Sequence, residues 1–440
     1  MKRSFKYSHN WRDEYNKKLV SAADAVKVVK SFDRVFLPGF GGDPPTLLNE
    51  LAKRKNEIEG VEICSCNPVI PFEHSKPEYV GIFIDNPWFV GAGARKAVME
   101  GRGTYTPANF GQYAKLLPNV KINVAMIMVS PPDSFGFMSF GIMVGYSRAL
   151  IEQADLIILQ VSEQQPRCLG DAFVHVSEVD YIVEANDPVP VLGEVKASEN
   201  DKAMAELIAA EIDDGSTLQL GVGGTPNTVG MLLTHKRDLG IHSEMMIDAF
   251  IYLLEAGAIT NSRKTLHHGK IIATFAGGSR KLYEWMNNNP MIEMHPVGYT
   301  NDPYIIAKQY KQISINATLE VDLTGQAASE SIGTRQYSGL GGQLDFVRGC
   351  LLSPGGKSFL VVPSTTKTKD GVVSNIVPTL KAGAGVTTPR GDIHYVVTEY
   401  GMVNLRGKSV RQRANDLIAI AHPDHRNELR KEAQRLLIIP

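Results

Sequence analysis

The chain has 440 residues, 43% hydrophobic and 21% charged, with 46 basic and 47 acidic side chains and a formal net charge of −1. That length can bury two or more sizeable cores, and the balanced charge excludes a basic surface for nucleic acid or an acidic tail. Four cysteines are too few for a disulfide scaffold and fit a reducing compartment, and no apolar run reaches the length of a membrane span.

Residues 1–32 read as polar helices, with Ser21 as an N-cap candidate and without the apolar core of a signal peptide, so a cytoplasmic protein is expected. Residues 33–38 (DRVFLP) read as a strand. Next come the glycine turn Gly39-Phe40-Gly41-Gly42-Asp43-Pro44 and a helical pattern through Leu47, Leu48, Leu51 and Ala52. A basic break, Lys53-Arg54-Lys55, precedes a strand over 61–66. Further strands are predicted over 81–84, 121–130 and 156–161, with a helix over 146–154. The glycine- and aromatic-rich segments between them are places for ligand contacts. Asp187-Pro188-Val189-Pro190 is the best linker candidate, because two prolines interrupt any regular element there.

Beyond that linker a helix is predicted over 200–212 and a short strand over 218–220. The strand feeds directly into Gly221-Val222-Gly223-Gly224-Thr225, then a helical run, a polar break and a strand over 241–247. GFGGDPPTLLNEL and GVGGTPNTVGMLL match in kind and order, so the chain is read as two related α/β halves. Where the second half places Glu244, between Ser243 and Met245, the first places Cys64 or its neighbours. Only one copy keeps a carboxylate there, so one active site per chain is expected. A helix follows over 249–255, and strands over 270–275, 312–321, 359–363 and 395–398. A second glycine loop, SGLGGQLDF, spans 338–346. Short strands alternating with helices predict open, mainly parallel sheets.

A glycine turn at a helix start lets another molecule approach the main chain and offers free N–H groups to an anion. A carboxylate among methionines and isoleucines at the next strand is poorly solvated, and takes a partner or becomes reactive. An ordinary tight turn beside a surface glutamate fits the same residues. No GxxxxGK[ST], HExxH or GxSxG occurs. GVGGTP departs from a dinucleotide fingerprint at its last position. Cys64 and Cys66 lack a second Cys/His pair, and His267-His268 read as a surface turn, so no metal site is expected.

GVGGTP with GIHSEM, then SGLGGQLDF, VTEYGMVNLRGKS and IAHPDHR, together resemble the acetyl-CoA hydrolase/transferase family of class I coenzyme A transferases. SPPDSFGFMSFG and GDAFVHVSEVDYIVE in the first half are similar to that family's segments, and the resemblance spans nearly the whole chain. It implies two related α/β domains of the CoA-transferase type, here 1–187, with the wall of the acid pocket, and 188–440, with the catalytic glutamate and the glycine loops. It implies that Glu244 attacks an acyl-CoA thioester and that turnover is ping-pong through a glutamyl-CoA thioester. It assigns Gly221, Val222, Gly223, Gly224, Thr225, Gly339, Gly341 and Gly342 to the coenzyme A site, with Lys367 as a partner for coenzyme A. It places Gln326 and Glu399 near the glutamate; a buried structural carboxylate is the other reading of Glu399. No tightly bound cofactor is implied: coenzyme A is substrate and covalent intermediate, and short carboxylic acids are the other partners. A homodimer or dimer of dimers is the family expectation. The Ser374-Asn375 pair and the loop Gly103-Thr104-Tyr105-Thr106-Pro107-Ala108-Asn109-Phe110 depart from many relatives, which leaves acid specificity open. An acyl-CoA hydrolase on the same scaffold and a non-catalytic coenzyme A-binding protein are the rival readings.

Overall fold

The computed structural model describes residue 6 and residues 10–193, 196–221, 223–369 and 371–440. The chain forms two compact units: Met1–Leu192 with Ile272–Thr300, and Gly193–Ile271 with Asn301–Pro440. The second unit is thus not one continuous stretch from 188 onward, since residues 272–300 belong to the first.

The first unit is built on β1 (Arg34–Phe36), β2 (Val61–Cys66), β3 (Phe83–Phe89), β4 (Val124–Val129), β5 (Leu156–Val161) and β6 (Tyr181–Glu184). They form one sheet in the order β3-β2-β1-β4-β5-β6, every pair parallel. β4 reads VAMIMV and is buried at all six positions, as a central strand covered on both faces must be. The helix α1 (Pro45–Lys53) crosses from β1 to β2 and buries Leu47, Leu48, Leu51 and Ala52. These join Val35, Val61, Ile63 and Met126 in the core. Asp187 accepts hydrogen bonds from the Thr46 backbone (2.9 Å) and hydroxyl (2.7 Å), which ties the linker segment to the first turn of α1.

The second unit starts with α2 (Glu199–Ala210), β7 (Thr217–Leu220), α3 (Gly224–Leu232), β8 (Gly240–Ile241) and α4 (Ala249–Glu255). It continues with β9 (Gln312–Ala317), α5 (Gln343–Leu352), β10 (Lys357–Val361), β11 (Tyr395–Thr398) and β12 (Gly401–Asn404). The sheet order is β8-β7-β9-β10-β11-β12, parallel except for the final hairpin. Val321, Val347, Leu360, Val396, Leu417 and Leu429 are among the residues of its core.

Both units place the strand after the glycine turn on one side of the strand before it, and the strands from β4 or β9 onward on the other side. Strand order therefore reverses beside each glycine turn, next to β1 in one unit and β7 in the other. In open α/β sheets ligands bind in the crevice at such a switch point. Among the described residues no helix is long and apolar enough to cross a membrane.

Candidate active site

The turn after β7 lies at that switch point. Gly221 packs so closely on β9 that an added Cβ would lie 3.0 Å from the Ile315 carbonyl oxygen and from Asn316 Oδ1. Gly223 has φ +138°, a conformation that favours glycine, and N-caps α3. Gly224 abuts Asp201 of α2, and the Thr225 hydroxyl donates to the same carboxylate at 2.7 Å. Val222 lies outside the described residues. Gln219 and Asn316 exchange side-chain hydrogen bonds of 3.1 and 3.0 Å, which lock β7 to β9 beneath the turn.

The strand expected over 241–247 is interrupted. β8 ends at Ile241, Glu244 stands in a bend, and only Met245–Met246 resumes extended pairing. The Ser243 hydroxyl donates to the Met245 carbonyl at 2.8 Å, a local bond that competes with a straight ladder and closes the bend around Glu244. His242 is held on both sides: Gln309 Nε2 lies 3.2 Å from its ring nitrogen, and Gln312 Nε2 donates to its carbonyl at 3.1 Å.

The Glu244 carboxylate is enclosed. Asn301, fully buried, donates Nδ2 to Glu244 Oε2 at 2.5 Å, and Asp345 Oδ2 lies 3.5 Å from the same nitrogen. Gly342 closes the other side. It N-caps α5, and a Cβ built there would lie 1.7 Å from Glu244 Oε2 and 2.1 Å from Asn301 Nδ2. The carboxylate therefore occupies the volume that any other residue at 342 would fill, against the start of a ten-residue helix. Burial pushes the Glu244 pKa up to about 7; the Asn301 hydrogen bond opposes this, and the Asp345 charge adds to it. A carboxylate with such a pKa has the basicity of a nucleophile poised near neutral pH.

The second glycine loop delivers Gly342 to this point. Gly341, at φ +56°, makes the turn into α5, and Gly339 is buried just before it. Gln326 folds back on Asp322 through its backbone N–H (3.0 Å) and its side chain (2.7 Å). Glu399, at the end of β11, accepts from the Ser364 N–H (2.9 Å), the Ser364 hydroxyl (2.6 Å) and Asn200 Nδ2 (3.1 Å). Neither Gln326 nor Glu399 bonds to Glu244 among the described residues. Lys367 is exposed on a hairpin of Thr365–Thr368 with Gly371–Ser374. In the first unit Cys64 is buried in β2, and burial raises its thiol well above the usual range, so it is no reactive thiolate. Sequence reasoning missed Asn301 and Asp345. An asparagine ahead of Asp-Pro reads as a turn residue, and an aspartate in a first helical turn as a dipole partner.

An open sheet with a glycine turn at its switch point, and an enclosed carboxylate set against a second glycine loop, define an α/β protein with a ligand crevice beside a buried acid. The chain belongs to the acetyl-CoA hydrolase/transferase family: residues 1–193 match the model of its N-terminal domain and residues 278–433 that of its C-terminal domain. It is 45% identical to the 4-hydroxybutyrate coenzyme A transferase of Clostridium kluyveri, across 97% of this chain and 99% of that protein. It is 43% identical to the butyryl-CoA:acetate CoA-transferase of Anaerostipes caccae, across 98% of both chains. Its fold is similar to the crystal structure of RipA from Yersinia pestis, with a TM-score of 0.90, 36% identity, and coverage of 98% of this chain and 100% of that one.

Proposed function

We propose that the protein exchanges coenzyme A between a short-chain acyl-CoA, of the 4-hydroxybutyryl or butyryl type, and a carboxylic acid such as acetate, with Glu244 as covalent nucleophile. The observation that carries the reading is the enclosed Glu244 carboxylate, tethered to Asn301 and seated against Gly342. One carboxylate oxygen attacks the thioester carbonyl carbon. The C–S bond breaks, leaving an acyl–glutamyl anhydride and coenzyme A thiolate. The thiolate attacks the glutamyl carbonyl, the anhydride C–O bond breaks, and the first acid departs. The second acid attacks the glutamyl-CoA thioester and the sequence runs backward. No proton is gained or lost overall.

A carboxylate suits this task because it forms both an anhydride and a thioester, each as activated as the substrate. A serine ester would lose that activation. Each addition develops an oxyanion, and preorganised N–H groups can stabilise it by roughly 3–4 kcal/mol per donor. The glycine turn at Gly221, Gly223, Gly224 and Thr225 and the loop through Gly339, Gly341 and Gly342 are the proposed sources of such donors and of the coenzyme A site. Lys367 is the proposed cation for coenzyme A, Gln326 and Glu399 are proposed to support the site, and a homodimer or dimer of dimers the proposed assembly.

Transfer and hydrolysis are separated by supplying acyl-CoA with and without acetate. Transfer conserves thioester absorbance and makes acetyl-CoA only when acetate is present. Free thiol released at the same rate in both samples would instead make the protein a hydrolase. The pH dependence is a further expected result. Only the ionised carboxylate attacks, and its pKa stands at about 7 against 4.5 for an ordinary glutamate. kcat/KM for acyl-CoA should level off above neutrality and fall about tenfold per pH unit below it. A plateau extending down to pH 5, measured by initial rates, would contradict the enclosed-carboxylate account.

A further inference from the structure

We infer that Asp345 is a positioning residue for Glu244, acting through the amide of Asn301 that the two carboxylates share; this rests on the reading of Glu244 as nucleophile. Asn301 is fully buried, and its Nδ2 faces Glu244 Oε2 at 2.5 Å and Asp345 Oδ2 at 3.5 Å. An amide NH2 has two hydrogens, and here one is available to each carboxylate. Its other end, Oδ1, is buried with no hydrogen-bond partner. With an anion on each side of Nδ2, turning the amide would aim a carbonyl oxygen at two carboxylates. Asp345 thus selects the orientation in which Asn301 donates to an ionised Glu244. Were the amide reversed, Oδ1 would accept only from a protonated Glu244, which cannot attack.

Asp345 is itself fixed. It is 6% exposed, in the first turn of α5, three residues after the Gly342 that seats the Glu244 carboxylate. One helix start therefore sets both the seat and the second anion. Of the charged groups nearby, Arg348 lies one turn along α5, with a charge felt at Asp345, and is paired to Asp392 at 3.0 Å. His242, two residues before Glu244, engages Gln309 instead. Asp345 is the anion whose charge acts on Glu244 and makes it more basic. A more basic carboxylate is a stronger nucleophile toward a thioester, at the cost of being partly protonated at neutral pH.

The test is the pH profile of Asp345→Asn beside the parent enzyme, with Glu244→Ala run in parallel. The variant is expected to shift the acid limb of kcat/KM downward by about one pH unit, because the like charge that raises Glu244 is gone. It should also lower kcat about tenfold, because the amide loses its fixed orientation, with KM for acyl-CoA little changed. Asp345→Glu should return the limb toward its parental position, which a merely structural role would not produce. If Asp345→Asn is not obtained folded, Asp345→Ser is read in the same way. An acid limb unmoved in the uncharged variant, with Glu244→Ala inactive, overturns the inference. Activity retained by Glu244→Ala overturns the reading of the nucleophile instead.

Discussion

Replacing Glu244 by alanine is expected to lower CoA transfer by at least about three orders of magnitude while acyl-CoA still binds. The loss is large because the side chain supplies the bond-forming atom in every half-reaction. No other group stands in its place: Asp345 is the neighbouring carboxylate, and the Asn301 amide lies between it and the site. The glycine turn after β7 is held by β9 and by Asp201, neither of which involves Glu244. Coenzyme A binding is therefore expected to survive, and titration calorimetry with a non-reactive acyl-CoA thioether would read it. Removing a buried carboxylate removes a desolvation cost but leaves the Asn301 amide without that acceptor, so the folded protein is expected to lose no more than about 1–3 kcal/mol. Activity within a few-fold of the parent would end the assignment.

The second large effect is expected at Gly342. Alanine there puts a methyl group 1.7 Å from Glu244 Oε2 and 2.1 Å from Asn301 Nδ2, so both must move. The backbone itself would accept alanine, because φ at 342 is −100°. The damage should therefore be specific. A nucleophile pushed about 1 Å from its place costs on the order of 100-fold in kcat. Thermal unfolding should move by only a few degrees, and acyl-CoA affinity should hold within about tenfold. A loss of stability in proportion to the loss of rate, read by calorimetry beside initial rates, would show that Gly342 shapes the helix start and not the carboxylate's seat.

The sequence carries much of this, because local signals coincide with burial. β5 and β11 and the helix α4 lie where apolar runs bounded by breaks predict them, at 156–161, 395–398 and 249–255. The repeated glycine turn was legible because glycine, helix and strand follow in the same order twice, and both copies fold as neighbouring parallel strands. Glu244 stood out as a lone acid among apolar neighbours. The break at Glu244 was not legible, since it depends on one hydroxyl, Ser243, turning back on its own segment. Asn301 lies 57 residues from Glu244, and Asp345 a further 44, so nothing local announces their meeting. The return of residues 272–300 to the first unit leaves no periodicity to read. Gln326 and Glu399 drew attention by motif, and their hydrogen bonds in the fold go to Asp322, Ser364 and Asn200.

The most direct measurement is mass spectrometry of the protein after brief incubation with acyl-CoA and no acid acceptor. A mass increase of coenzyme A less one water, localised by proteolysis to the peptide holding Glu244 and discharged by acetate, is the predicted result. Unmodified protein that nevertheless exchanges coenzyme A between acids, or an adduct carried by any other residue, would contradict it.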